Sequence, residues 1–448
     1  MITNMTDLVE DKIRKILIGR KIIWIGGSSH LVRPSLSQHV SGGVYFSMDP
    51  SDQKFLVNQS FFLLESYFTA RPDWNRIDDL SLNKALPIGC KQALSAKKNC
   101  AVFPYYVSEF ASDLARENHF PLLGNPHQVC ETLYFRDVAR EVVAGTDFCL
   151  PHVLTFHRGS EPNYRALTLQ LGTRNLVLTP PYSDGGAWVY PVSDSDSYNE
   201  AVSAILGEFT PPILEVSPFY EGIPVNIHAC NLPAKNGEEC KVVAYPPSVQ
   251  IIGHPNLSDE KLRYCGCDFA VGQLILQAIG EERLYNICKK VGQILFSKYG
   301  WRGMFGIDFL LQKDGTLIFM EINPRLQAST HILDIEIRDD YNPILLHLSA
   351  FNSNDTDIAE SVASMRYKIA GSLLLAYNSM NTRLKAMDRI PEGGARLVDP
   401  GGILFRNHFP YGILEPDFKT IKRNVLDLAL VQKKQYSKAC SSLRLAAS

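Results

Sequence analysis

The stretch "GIDFLLQKDGTLIFMEINPRLQAST" (residues 306–330) sets two apolar runs on either side of Asp314-Gly315. Asp-Gly between alternating runs is a strong hairpin signal. With those two residues as the turn, Lys313 faces Thr316 and every pair keeps the same sum of positions. Ile307, Phe309 and Leu311 then share one apolar face with Ile318, Met320 and Ile322. The other face places Asp308 directly opposite Glu321, and opposed carboxylates repel. Asn323 lies two residues from Glu321 on the same face. Three oxygen donors therefore converge where positive charge is needed. Oxygen-only ligation suits Mg²⁺ or Mn²⁺ and disfavours zinc. Magnesium takes few protein carboxylates and completes its shell with water and phosphate. The pattern therefore predicts a phosphate-bearing partner, most simply ATP. Arg325, just past the strand, can hold a phosphate or carboxylate through two donors.

The rest of the chain fits a multidomain globular protein. Its 448 residues exceed one hydrophobic core. Charged residues make up 21% and the net charge is −2, so no basic surface favours nucleic acid or anionic membranes. No apolar run approaches the roughly 20 residues of a spanning helix. The N-terminus "MITNMTDLVEDKIRKIL" has acids and no continuous apolar run, unlike a signal peptide. The ten cysteines include no CxxC pair; Cys265 and Cys267 flank one glycine without a second pair at zinc-finger spacing. Reduced thiols and a cytoplasmic location are expected.

"RKIIWIGGSSHLVRP" (20–34) reads as a buried strand ending in a Gly-Gly turn, and "CAVFPYYV" (100–107) as another buried strand. Both suggest an N-terminal α/β domain. A helix is expected within residues 121–151, started by Asn125-Pro126 and stopped by Gly145. "RNLVLTP", the polar turn "PYSDGG" and "AWVYPV" form a strand–turn–strand. Residues 211–230 read as strand, break, strand, and 241–253 as a further β segment. Leu284, Ile287, Val291 and Ile294 predict a helix over 281–299. Residues 351–360 are polar and turn-rich, a candidate boundary. Short strands around two Gly-Gly turns (387–405) suggest a small β-containing C-terminal part.

"MEINPRLQ" resembles the magnesium-binding strand of ATP-grasp enzymes, and "GMFGIDFLLQKDGTLIFMEINPR" resembles the whole family segment. The likeness extends over about residues 121–330. It implies an α/β (α+β) chain with the ATP-grasp fold. An N-terminal open α/β domain would span residues 1–120 and a two-lobed nucleotide-binding unit 121–350. Within that unit the small lobe would be about 150–212 and the metal-binding lobe 213–350. A C-terminal portion, 351–448, would complete the substrate site.

The family resemblance also implies roles. Asp308, Glu321 and Asn323 would hold Mg²⁺ or Mn²⁺. Arg136 stands where the family often has a phosphate-binding Lys, with Arg140 one helical turn on. The strand before the glycine loop ends in Thr179 where a second Lys is usual. Ser183, Gly185 and Gly186 would offer backbone N–H groups to the phosphates. Glu215 would accept from the adenine amino group, and the backbone near Val216 and Pro218 would meet the ring edge. Arg325 would act in catalysis, with Arg302 as a further candidate; Arg263, His228 and His331 are candidate substrate contacts. The implied reaction phosphorylates a small-molecule carboxylate with ATP, after which an amine attacks to give an amide or peptide bond. The alternatives are a phosphotransferase and a nucleotide-binding regulatory module without turnover. No nucleic-acid or membrane partner is expected, and homo-oligomerisation stays open.

Overall fold

A computed structural model describes residues 3–26, 34–36, 38–45, 60–63, 88–146, 148, 152–183, 185–186, 188–234, 239–254, 257–352, 367–377, 384–385, 397–398, 403–416 and 430–432. The N-terminal part contains helix α1 (Thr3–Leu17) and strands β1 (Lys21–Gly26), β2 (Val40–Tyr45), β3 (Ser60–Leu63) and β4 (Cys100–Pro104). The strands form a parallel sheet in the order β3-β2-β1-β4. Continuous apolar runs such as Ile22–Ile25 are what a parallel strand covered on both faces requires. Helices α2 (Ile88–Ser95) and α3 (Glu109–Glu117) follow in the same part. The segment expected as a Gly-Gly turn after β1 lies outside the described residues from Gly27 on.

The single helix expected within 121–151 is two: α4 (His127–Tyr134) and α5 (Arg136–Val143). Phe135 has extended backbone (φ −72°, ψ 130°) and divides them. Its ring packs edge-on against Tyr182. Neither the Pro nor the Gly signal marked that break, because a tertiary contact accompanies it. The break puts Arg136 in the first turn of a new helix.

A small antiparallel sheet follows, in the order β5-β8-β6-β7. It comprises β5 (Leu154–His157), β6 (Leu176–Thr179), β7 (Tyr190–Val192) and β8 (Ile213–Pro218), with helices α6 (Tyr164–Leu171) and α7 (Ser195–Glu208). Its core gathers Leu167, Leu176, Leu178, Ile205 and Val216.

The large sheet contains β9 (Ile223–Pro233), β10 (Cys240–Ala244), β11 (Ser248–Ile252), β12 (Tyr264–Asp268), β13 (Gly303–Leu311), β14 (Leu317–Asn323), β15 (Ser372–Tyr377) and β18 (Ile403–Phe409). Its order is β14-β13-β9-β11-β12-β15-β18, with β10 also on β9. Four further short strands lie in the C-terminal portion: β16 (Leu384–Lys385), β17 (Leu397–Val398), β19 (Leu414–Pro416) and β20 (Leu430–Gln432). Thus the C-terminal portion extends the central sheet through β15 and β18. The Gly-Gly turns expected within 387–405 and the boundary at 351–360 fall almost wholly outside the described residues.

Period-2 alternation assigns the two faces of the large sheet different work. Val225, Ile227, Ala229, Phe305, Ile307 and Phe309 belong to one core, shared with helix α9 (Glu281–Tyr299) through Leu284, Cys288 and Val291. Cys230, Leu232 and Met304 belong to another, shared with Trp24 and Phe103 of the N-terminal sheet and with helix α11 (Pro343–Phe351). Helices α8 (Phe269–Ile279) and α10 (Thr330–Glu336) complete this part.

Candidate active site

The 306–330 hairpin forms as an antiparallel pair, and Asp308 does lie opposite Glu321. The pairing between that point and the turn differs from the expected one. Gln312 donates to and thus faces Thr316, and Lys313, Asp314 and Gly315 make a three-residue loop. Gly315 takes φ +85°, the left-handed position such a loop needs. The register below the carboxylates is therefore one residue off: Phe309 faces Phe319, not Met320. A bulge between Asp308 and Phe309 restores it. Met320 is the extra residue, 37% exposed, so it leaves the apolar face to Leu317 and Phe319.

Asp308, Asn226 of β9 and Glu321 stand side by side, because β13 pairs with β9 on one side and β14 on the other. The Asn226 amide donates to an Asp308 carboxylate oxygen and, at 3.1 Å, to Gln327 Oε1. Asn323 Nδ2 donates to Asp308 Oδ2 at 3.1 Å and to Glu321 Oε1 at 3.5 Å. Burial pushes the Asp308 carboxyl up, while side-chain hydrogen bonds with Asn226, Glu321 and Asn323 oppose that shift. The Oδ1 atom of Asn226 is buried without a hydrogen-bond partner. A desolvated carboxylate, its acidic neighbour and an unmatched amide oxygen are a donor set that fits a small, hard divalent cation. Among the described residues, no group of three or more His, Cys, Asp or Glu is placed to hold a metal ion, so this candidate oxygen set is of two carboxylates and amides.

Arg136 reaches the same cluster. Its Nη2 lies 3.5 Å from Glu321 Oε2 and donates to Ser183 Oγ at 2.7 Å. Its Nη1 donates to the Pro180 carbonyl at 2.9 Å, and its backbone N–H to the Pro181 carbonyl at 2.9 Å. One guanidinium thus ties the loop after β6 to β14. The loop's other end is held by the large sheet: the Tyr264 N–H donates to the Gly185 carbonyl at 2.9 Å. Gly186, at φ +77°, lies so close to the Leu262 carbonyl that a Cβ would stand 1.9 Å from its oxygen. Ser183, Gly185 and Gly186 therefore lie on a strap between the small and the large sheet.

Thr179 pairs with Glu215 across β6 and β8. Glu215 is buried, and both its oxygens accept from the Arg140 guanidinium, one of them at 2.8 Å. The charge that Thr179 lacks is thus present on its cross-strand neighbour's partner. Val216 has strands on both sides, whereas Ser217 and Pro218 pair only with β6, because β5 ends opposite Val216.

Arg325 points toward the N-terminal sheet. Its Nη1 donates to the Tyr105 hydroxyl at 2.9 Å, with the guanidinium 5.3 Å from that ring's centre. His228 Nε2 lies 2.8 Å from Ser329 Oγ, and His331 is buried at the start of α10. Arg263 lies 3.7 Å from Glu260. Arg302 is not brought to this cluster. Its side chain is exposed, its backbone is held by Asn125, and six residues of extended chain, ~20 Å, separate it from Asp308. Asn226, Gln327 and Tyr105 were not foreseen. Asn226 and His228, two apart and so on one face of a strand with apolar neighbours, were the signal for the first.

Residues 157–329 match the model of the ATP-grasp domain family. No curated protein sequence matches the chain. Among solved structures, the biotin carboxylase domain of 2-oxoglutarate carboxylase from Hydrogenobacter thermophilus, in complex with MgADP, ADP and bicarbonate, is similar with a TM-score of 0.56. It is 14% identical, over 87% of this chain and 85% of that one. An L-amino acid ligase from Bacillus licheniformis is similar with a TM-score of 0.55 and 12% identity, over 95% of this chain and 98% of that one. N5-carboxyaminoimidazole synthetase from Staphylococcus aureus, complexed with ADP, gives 0.53 and 12%, over 96% and 98%. At these identities the likeness is one of fold.

Proposed function

We propose that this chain, which carries an ATP-grasp domain, is an ATP-dependent, ADP-forming ligase that activates a small carboxylate and joins it to an amine. The observation that carries this reading is the convergence of Asp308, Glu321, Asn323 and Arg136 at one end of the 180–186 strap. Asp308, Glu321 and Asn323 would hold Mg²⁺ or Mn²⁺. When bound, that ion would supply positive charge to the phosphates of the nucleotide. Arg136 would bind phosphate oxygens, and Ser183, Gly185 and Gly186 would cover them with backbone N–H groups. Glu215, fixed by Arg140, and the open backbone edge at Ser217–Pro218 would receive the base beside Val216. Thr179 would line this pocket without adding charge.

The substrate carboxylate would attack the γ-phosphorus, with loss of ADP, to give an acyl phosphate. The amine nitrogen would then attack the acyl carbon; phosphate would leave and the nitrogen would lose a proton. Arg325 would hold the phosphoryl or acyl oxygens, where one preorganised donor is typically worth roughly 3 kcal/mol. The strap would keep water from the acyl phosphate. Arg302 would act only through a substrate long enough to reach it.

The division into an N-terminal domain to about 120, lobes to about 350 and a C-terminal portion belongs to this proposal. No helix among the described residues is long and apolar enough to cross a membrane. The described cysteines are free thiols, which supports a reducing compartment such as the cytoplasm. A screen of acids and amines for ADP release, with mass spectrometry of products, tests the ligase reading. A condensed product with ADP and phosphate is expected; a phosphorylated product would make it a phosphotransferase. Glu321→Ala is expected to abolish metal-dependent ADP release while circular dichroism stays unchanged. Undiminished turnover in that variant would remove the metal assignment. The ion-paired state of Glu215 favours a second reading, a nucleotide sensor, which predicts binding with no ADP release across the whole panel.

A further inference from the structure

Two facing carboxylates need a positive charge, and in this structure Arg136 supplies it. Its Nη2 is 3.5 Å from Glu321 Oε2, and Asp308 is directly across the hairpin from Glu321. Arg136 is only 12% exposed at its side chain, so this attraction is weakly screened. The same guanidinium holds the strap through Pro180 and Ser183.

We propose that Arg136 is a built-in stand-in for the metal's charge, so that cation and nucleotide bind cooperatively and neither binds well alone. This rests on the magnesium–nucleotide reading above. A lone divalent cation at Glu321 meets a fixed positive charge beside it. A nucleotide phosphate removes that conflict by giving Arg136 an anion of its own. A lone nucleotide likewise must draw Arg136 from Glu321 and leave two carboxylates facing each other. Each ligand therefore creates the other's site, and the coupling is reciprocal.

The test uses Mn²⁺ and ADP as probes on the full chain. Free Mn²⁺ is read by electron paramagnetic resonance, and ADP binding by calorimetry, each with and without the other. ADP is expected to tighten Mn²⁺ binding to the wild type by about tenfold or more, within the usual range of allosteric coupling. In Arg136→Met, Mn²⁺ alone binds about fivefold more tightly, ADP alone binds more weakly, and the coupling shrinks by about fivefold, leaving only the direct attraction between ion and phosphates. The opposite signs matter, because mere structural damage weakens both. Arg136→Gln, neutral but still able to donate to the Pro180 carbonyl, is expected to behave alike should the Met variant misfold. If Mn²⁺ binding depends on Glu321 yet neither variant tightens it, the stand-in role is wrong and the metal site survives. If no protein binds Mn²⁺ with or without ADP, both fall.

Discussion

His347 shows what burial does to one side chain. It is fully enclosed by α11, the start of β13 and the loop at Leu123. The Met304 N–H donates to Nδ1 at 3.1 Å, so Nε2 carries the proton and donates to the Leu123 carbonyl at 3.2 Å. Both bonds suit the neutral ring. Burial lowers its pKa from 6.5 to about 4, with the hydrogen bond to Leu123 only partly opposing this. Between those values the unfolded chain binds a proton that the folded chain refuses. Stability therefore rises with pH across that window, and is lost as pH falls from about 6.5 toward 4. The full span is worth about 3 kcal/mol. Denaturation midpoints measured at pH 4.5 and 7.5 should differ less in His347→Gln than in the wild type. An unchanged difference would mean that His347 is not the group refusing the proton.

Elements show how local signals and tertiary contacts divide the labour. The Asp-Gly signal located the hairpin but mistook its loop length by one residue, and the bulge at Met320 undid the error before the carboxylates. The identity of the carboxylate face survived because burial of Ile307 and Ile322 pins that register from the core side. The helix at 281–299 was legible, because its apolar stripe faces one core and its other side faces water. Helix Pro343–Phe351 was not, because it is buried almost all round and has no polar face to read. The strap carries its own prediction. Gly186→Ala places a Cβ against the Leu262 carbonyl at a positive φ. The strap should then detach from the large lobe, raising the KM for ATP about tenfold or more while costing at most about 1–2 kcal/mol in denaturant. Paired kinetics and unfolding curves check this.

At the scale of the whole molecule, the parts meet on the sheet face that carries Asn226, His228 and Asp308. Asp334 of α10 is completely buried and accepts from Ser35 N–H at 3.2 Å, Ser35 Oγ at 2.6 Å and Asn342 Nδ2 at 2.8 Å. It fastens the N-terminal part to the segment following β14. Asp334→Ala would strand those donors and should cost roughly 3 kcal/mol in urea unfolding. Tyr105→Phe removes only the hydroxyl on Arg325. It should raise the KM of the carboxylate or amine several-fold with ADP affinity unchanged, if Arg325 serves the acceptor end. A changed ADP affinity instead would move Arg325 to the nucleotide side.

The amino-acid sequence by itself determined the 306–330 hairpin, the opposition of Asp308 and Glu321, and the polar turn with Ser183, Gly185 and Gly186, because short-range periodicity and turn chemistry carry that information. Only the tertiary structure decided that Arg136 neutralises Glu321, that Arg140 occupies Glu215, that Asn226 and Tyr105 join the site, and that Arg302 stands apart. Those contacts link residues 75 to 220 positions apart or arise where sheets pack. No local pattern encodes which distant side chain will supply a missing charge; the cost of leaving a buried charge unpaired selects it once the chain has folded.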